Sequence, residues 1–368
     1  MNKPVKIIKL DFTKKDVKTI LKDIKSSILN GNLTLGKNVN LFEDDFKKFI
    51  QCNHCVATNS GTSALEIIFR ALNIENQEVL IPSNTFVATA YAVIAAGGTP
   101  VIVDCNPETL SMDPLDLKKK ISTKSSVVTI VHIAGIISPQ TNEIISICKK
   151  NNLKLVEDAA HAHGSVSGDL KAGNIGIAAA FSLFPTKVIT ACEGGLITTK
   201  SKKISLLAKK LRVFGQSSRY EHDLYGYNWR LSELHAIVGR NQLSQLKKRL
   251  EKRKKIARIY DKFIYSQKII DNYPLSQNQN SSYYKYVVRI KGIKFKKIQE
   301  YFHRFSINLP GKVYGVPLHE QTSLQQYSSG KFPGTEKICQ EHFCLPMYPR
   351  LKKKEIYRVI NVLKNLKN

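Results

Sequence analysis

The chain has 368 residues, 42% of them hydrophobic and 23% charged: more than one hydrophobic core serves, and too apolar for a disordered or fibrous protein. Its formal charge is +28, and residues 246–368 carry about two thirds of the surplus, with 27 lysines and arginines against eight acids. A solvated, lysine-rich surface is the plainest reading, attraction to an acidic small molecule such as a nucleotide pyrophosphate comes second, and a nucleic-acid partner third, because no recognised DNA or RNA motif is present.

The longest apolar run, FVATAYAVIAA from Phe86, stops at Gly97 and Gly98, short of the roughly 20 residues a membrane helix needs. The opening MNKPVKIIKLDF lacks the continuous apolar core of a signal peptide, so a cytoplasmic protein without a membrane partner is expected. Seven cysteines are scattered from Cys52 to Cys344, which argues against a disulfide framework. Cys52 and Cys55 have CxxC spacing, but no second pair of ligands follows, and no metal site is expected.

In chain order, a basic helical opening (DFTKKDVKTILKDIKSSILN) leads into alternating strands and helices. HCVATNS, VLIPS, TPVIVD, SSVVTIVHI and LKLVED read as strands, and SALEIIFRALN, TFVATAYAVIAAG, PLDLKKKIS and NEIISICKKNN as helices. Strands apolar throughout, alternating with helices, predict a mainly parallel sheet covered on both faces. From Leu231 the spacing predicts one helix of over 30 residues, running to Ile264 and linking two domains. YYKYVVRI, KKIQEYFHRF and KKEIYRVINVLKN then read as a smaller α/β domain, with Ser276–Ser282 as a polar loop. The expected division is residues 1–245 and 246–368.

Ligands of open α/β sheets bind at the carboxyl ends of the strands, and four such ends carry chemistry. NSGTSAL (Asn59–Leu65) joins strand to helix: Gly61 admits close backbone approach, and the Thr62 and Ser63 amides suit a phosphate. In SNTFVATA, Phe86 is either core or a flat contact for an aromatic ligand. LVEDAAHAHGS ends a strand in Asp158, an acid that needs a cationic or hydrogen-bonding partner there. FSLFPTKVITACEGG sets Lys187 among apolar residues, where its pKa falls and its neutral amine becomes available. A buried lysine, an acid at a strand end and a phosphate-accepting helix start are what pyridoxal phosphate requires: a Schiff-base amine, a partner for the pyridine nitrogen and amides for the phosphate.

With LTLGKNVNLFEDDFKKF, GYNWRLSELHAIVG and KFPGTEKICQEHFCLPMYPRLKKKEI in the same order, these motifs resemble the DegT/StrS family of nucleotide-sugar aminotransferases over nearly the whole chain. The resemblance implies the type I fold of pyridoxal-phosphate enzymes, with a large cofactor domain and a smaller C-terminal one. It implies that Lys187 carries the cofactor and moves the proton, that Asp158 partners the pyridinium, and that Phe86 stacks on the ring. Gly61, Thr62, Ser63 and Ser182 would hold the phosphate, and Asn228 would reach the neighbouring subunit's cofactor, which requires a homodimer. His161 stands where the family often has Gln, near the cofactor's 3-hydroxyl, and being titratable leaves its effect on the ring open. Cys192 stands where many members have glycine. Glu193 faces either the substrate or its own turn, Arg230 either an anion such as the donor carboxylate or a structural salt bridge, and His319 falls in a loop that approaches the sugar nucleotide. His132 and His163 read as structural.

The expected reaction moves an amino group from an amino acid, L-glutamate first, to the keto group of a nucleoside-diphosphate sugar, in amino-sugar synthesis for a surface polysaccharide or a secondary metabolite. Two alternatives differ in prediction. A sugar dehydratase of the same family typically has histidine in place of Lys187, and a basic regulator on the same fold binds DNA without turnover.

Overall fold

A computed structural model describes residues 3–266, 270–273 and 279–366. Its centre is a seven-stranded sheet of β1 (His54–Thr58), β2 (Glu78–Pro82), β3 (Thr99–Val103), β4 (Ser125–Val131), β5 (Lys154–Asp158), β6 (Ala178–Ser182) and β7 (Gly195–Thr199). The order is β1-β7-β6-β5-β4-β2-β3, and every neighbouring pair is parallel except those of β7, which runs antiparallel to β1 and β6. The reversal follows from its connection: residues 183–194 contain no crossover helix, and without one the chain returns antiparallel.

Alternation along β6 shows how the sheet is covered. Ala178 and Ala180 face a core built on Ile67, Ile68 and Phe69 of the helix Gly61–Ala71, while Ala179 and Phe181 face Phe42 and Phe46 of the helix Lys37–Ile50. That second helix begins at Gly36, which has no side chain to cap it. Glu233, fully buried, does so from almost 200 residues further along the chain, accepting from the backbone N–H groups of Gly36, Asn38 and Val39 at 2.8–2.9 Å.

The long helix expected from Leu231 is two helices, Glu233–Ser244 and Leu246–Ile264. The break at Gln245 has an identifiable cause. The Gln242 carbonyl accepts from the Gln245 N–H at 3.2 Å and from Arg249 Nη1 at 2.8 Å. A side chain thereby takes part of a carbonyl that the helical ladder would otherwise use. Arg249 is buried and also donates to the Asp11 carbonyl, so the bend ties the N-terminal segment to the helix pair.

The C-terminal part has its own core, from Ile256 to Leu366 with Val5, around the strands Ile270–Asn272, Tyr286–Ile290 and His342–Leu345. Of the expected polar loop Ser276–Ser282, residues 276–278 lie outside the described residues, and the rest is not a solvated loop. Gln279–Asn280 pairs with Val166–Ser167, and buried Ser282 donates to the His161 carbonyl at 2.6 Å. The hydroxyls here satisfy carbonyls of the large domain, which composition alone does not reveal. Among the described residues no helix is long and apolar enough to cross a membrane, and no group of His, Cys, Asp or Glu is arranged to hold a metal ion.

Candidate active site

A cavity of about 390 Å³ opens at the carboxyl ends of β1, β4, β5 and β6 and of the turn after β2. It brings together Gly61, Thr62, Phe86, Asp158, His161, Ser182, Lys187 and Glu193. Ser63, Asn228, Arg230 and His319 are not among its lining residues.

The β1 end turns into the helix Gly61–Ala71 through Ser60, whose hydroxyl accepts from the Ser63 N–H at 3.1 Å. Ser63 is buried, and its own hydroxyl bonds Asn59 Oδ1 at 2.5 Å. The capping bond thus occupies the Ser63 N–H, and the helix start presents Gly61 and Thr62 to the cavity. Gly61 has a steric reason: a Cβ on it would lie 2.9 Å from Ser182 Cβ and 3.2 Å from Ser182 Cα. The two strand ends meet there with no room for a side chain between them.

Asp158, at the end of β5, is buried and doubly held. Oδ2 accepts from Thr89 Oγ1 at 2.9 Å and Oδ1 from the Ala160 N–H at 3.1 Å. Lys187 sits in the β6–β7 connection, half-buried, with its ammonium 5.0 Å from the centre of the Tyr284 ring. Burial lowers its pKa from the ordinary 10.5 to about 8; Asp158 opposes that shift and Lys285 adds to it. About a tenth of the amine is therefore neutral at pH 7, far more than for an ordinary lysine.

His161 stacks on Tyr284, with ring centroids 4.1 Å apart, and its Nε2 lies 3.3 Å from the Tyr314 hydroxyl. Its Nδ1 is buried with no partner among the described residues. Burial, then Lys187 and Lys285, hold its pKa well below the usual histidine value, so the ring is neutral. His163 is pushed down to about 3, first by burial. His132 pairs with buried Glu157 at 2.9 Å. Phe86 exposes one face to the cavity and runs nearly parallel to Tyr314, with centroids 6.1 Å apart.

Of the residues outside the cavity, Arg230 donates through Nε to Asn228 Oδ1 at 2.9 Å and lies over Phe214. Asn228 is exposed. His319 is wedged between Ser83, whose hydroxyl is 2.7 Å from Nδ1, and the ring of Phe332, 4.2 Å away. Four lining residues gave no signal in the sequence: Tyr284, Lys285, Lys312 and Tyr314. They come from the C-terminal part of the chain, where the YYK run reads only as the beginning of a strand segment.

The residues present suit pyridoxal phosphate. Lys187 has a lowered pKa, a fixed carboxylate ends β5, the Gly61 cradle leaves space at a helix start, and His161 Nδ1 lacks a partner.

Known proteins resemble the chain over nearly its whole length. The model of the DegT/DnrJ/EryC1/StrS aminotransferase family matches residues 14–364. A dTDP-3-amino-3,6-dideoxy-alpha-D-galactopyranose transaminase of Aneurinibacillus thermoaerophilus is 32% identical, with 91% of each chain covered. A crystal structure of DesV of S. venezuelae in complex with a ketimine intermediate superposes with a TM-score of 0.94 at 26% identity, covering 100% of both chains. Helicobacter pylori PseC, an aminotransferase involved in the biosynthesis of pseudoaminic acid, gives 0.90 at 26%, covering 98% of this chain and 99% of its own.

Proposed function

Because the chain belongs to the DegT/DnrJ/EryC1/StrS aminotransferase family, we propose that it moves an amino group from an amino acid, L-glutamate first, to the keto group of a nucleoside-diphosphate sugar, with pyridoxal phosphate as cofactor. The enzyme is a sugar aminotransferase; the donor, the cofactor and the residue roles are our reading. The observation that carries it is Lys187, with its amine lowered to about 8 beside the doubly held Asp158.

Bound pyridoxal phosphate supplies an aldehyde that takes up the amino group covalently and a ring that accepts the electrons left when the donor carbon loses its proton. The chain supplies the rest. Lys187 would hold the cofactor and, as a neutral amine, would take the proton from the donor carbon and return it as an ammonium. Asp158, kept in place by Thr89 and the Ala160 amide, holds the proton on the pyridine nitrogen. Thr62, the Gly61 turn and Ser182 receive the phosphate. Ser63 supports them by closing the helix start. Phe86 would cover one face of the ring, and neutral His161 would offer its unpartnered Nδ1 to the cofactor's 3-hydroxyl.

Glu193, exposed at the cavity mouth, faces the sugar. Asn228 and Arg230, bonded to each other outside their own cavity, complete the site of a second copy in a homodimer. His319 supports the loop that meets the sugar nucleotide. The seven free cysteines suit the reducing cytoplasm. Lysine at 187 favours amino transfer over the dehydratase reading, and the sugar-transaminase relatives over the regulator.

Glutamate added to the pyridoxal-phosphate-loaded protein should bleach its visible band and release one equivalent of 2-oxoglutarate. A keto-sugar nucleotide should then restore the band. Failure with every common amino donor overturns the reading.

A further inference from the structure

We propose that Lys285 binds the α-carboxylate of the amino donor. This rests on the transaminase reading and names the group that recognises one of its two substrates.

Lys285 stands at the start of the strand Tyr286–Ile290, with its N–H donating to the Ala134 carbonyl at 3.3 Å. The preceding Tyr284 is clamped: its ring stacks on His161 at 4.1 Å, and its hydroxyl is 3.2 Å from Thr186 Oγ1. On this fixed ring rest two ammonium groups, Lys187 at 5.0 Å and Lys285 at 5.3 Å from its centre. Both line the cavity, so a second cation shares one wall with the amine that does the chemistry.

Among the described residues Lys285 Nζ makes no hydrogen bond and no ion pair. The cavity's other lysine, Lys312, donates to the Cys339 carbonyl. Neither acid of the cavity serves Lys285: Asp158 is held by Thr89 and Ala160, and Glu193 is exposed at the mouth. A half-buried ammonium without an anion is costly, and its pKa is lowered accordingly, first by burial. The wall is built for an anion that arrives with a ligand.

Chemistry selects which anion. The α-carboxylate is bonded directly to the carbon whose nitrogen is exchanged at Lys187. The diphosphate of a nucleotide sugar hangs on the anomeric carbon, at least one carbon and a bridging oxygen away from the reacting one. The cation that shares a ring with Lys187 is therefore placed for the carboxylate. Arg230, the sequence candidate for that group, lies outside the cavity of its own protomer and would reach this site only from a second copy, whereas Lys285 stands in the cavity wall beside Lys187.

The test compares glutamate with 4-aminobutyrate, which is glutamate without its α-carboxylate, in bleaching the loaded protein's visible band. In Lys285→Gln the half-saturating glutamate concentration should rise about tenfold or more, as expected for a lost hydrogen bond between charged groups. The 4-aminobutyrate value should stay within about twofold of wild type. Lys285→Arg, which keeps the charge, should recover most of the loss. Equal weakening of both amines, or loss of the cofactor band itself, overturns the assignment, because the lysine then serves the cofactor or the fold. A rise confined to the keto-sugar nucleotide overturns it in favour of the diphosphate. Should the wild-type band respond to no amino acid at all, the transaminase reading fails, an outcome distinct from every effect of the variants.

Discussion

Thr89 Oγ1 donates to Asp158 Oδ2 at 2.9 Å, joining the helix Val87–Ala95 to the end of β5. Both groups are buried, so the carboxylate proposed to partner the ring nitrogen is aimed by a neighbouring helix as well as by the Ala160 amide that follows its own strand. Asp158→Asn should fold normally, since an amide can still bond Thr89 and accept from Ala160, yet lose about a hundredfold or more in kcat. Thr89→Val should lose less, about tenfold, while leaving the hydroxyl's partner buried and underbonded. Steady-state rates beside melting curves check both; an Asp158→Asn enzyme of near-wild-type rate would remove the pyridinium role.

Lys187 makes the cofactor-free protein sensitive to pH. Its folded pKa, about 8, lies below the ordinary 10.5, so between those values the unfolded chain binds more protons than the folded one. Stability therefore rises with pH through that window; the cost is fully present below about pH 8 and gone above about 10.5. Lys187→Met should stabilise the cofactor-free protein at pH 7 by up to about 3 kcal/mol, and the gap should close by pH 10.5. Denaturant midpoints across that range measure it, and a gap that stays constant with pH contradicts the buried-amine account.

His161 occupies a position whose titration the sequence leaves open. Burial and the two nearby lysines hold it neutral, so its charge does not change across the working range. His161→Gln should leave the shape of the pH–rate profile between about pH 6 and 9 unaltered, with any loss of rate uniform across it. Disappearance of an acid limb in the variant would show that His161 titrates during turnover.

Cys192 has φ +69°, in the left-handed region that glycine tolerates best. The sequence showed only that cysteine stands where relatives often have glycine; the backbone supplies the reason. Cys192→Gly should stabilise the protein by about 0.5–1 kcal/mol, the left-handed strain less glycine's larger entropy loss. A lower denaturation midpoint for the variant would mean that the thiol makes a compensating contact.

These residues also mark how far the sequence can be read. Lys187, Asp158, Gly61 and Phe86 were legible because each stands at or a few residues beyond the end of an apolar strand, where a polar or conformationally special residue demands an explanation. Lys285 and Tyr314 were not, because they reach the cavity from a strand edge and a loop of ordinary local pattern, Lys285 just ahead of the strand Tyr286–Ile290, and matter only through long-range packing. The kink at Gln245 was hidden for the same reason, being made by the Arg249 side chain on the Gln242 carbonyl. Periodicity, continuous across that point, reports which face is apolar and says nothing of a side chain inserted into the ladder.

Three amines line the cavity, those of Lys187, Lys285 and Lys312, and the proposed chemistry requires that Lys187 hold the cofactor. The protein loaded with pyridoxal phosphate, reduced with borohydride, digested and mapped by mass spectrometry gives the answer directly. The pyridoxyl group should be found on the peptide containing Lys187 and be lost in Lys187→Ala. Its recovery on Lys285 or Lys312, or an unlabelled protein, would refute the assignment.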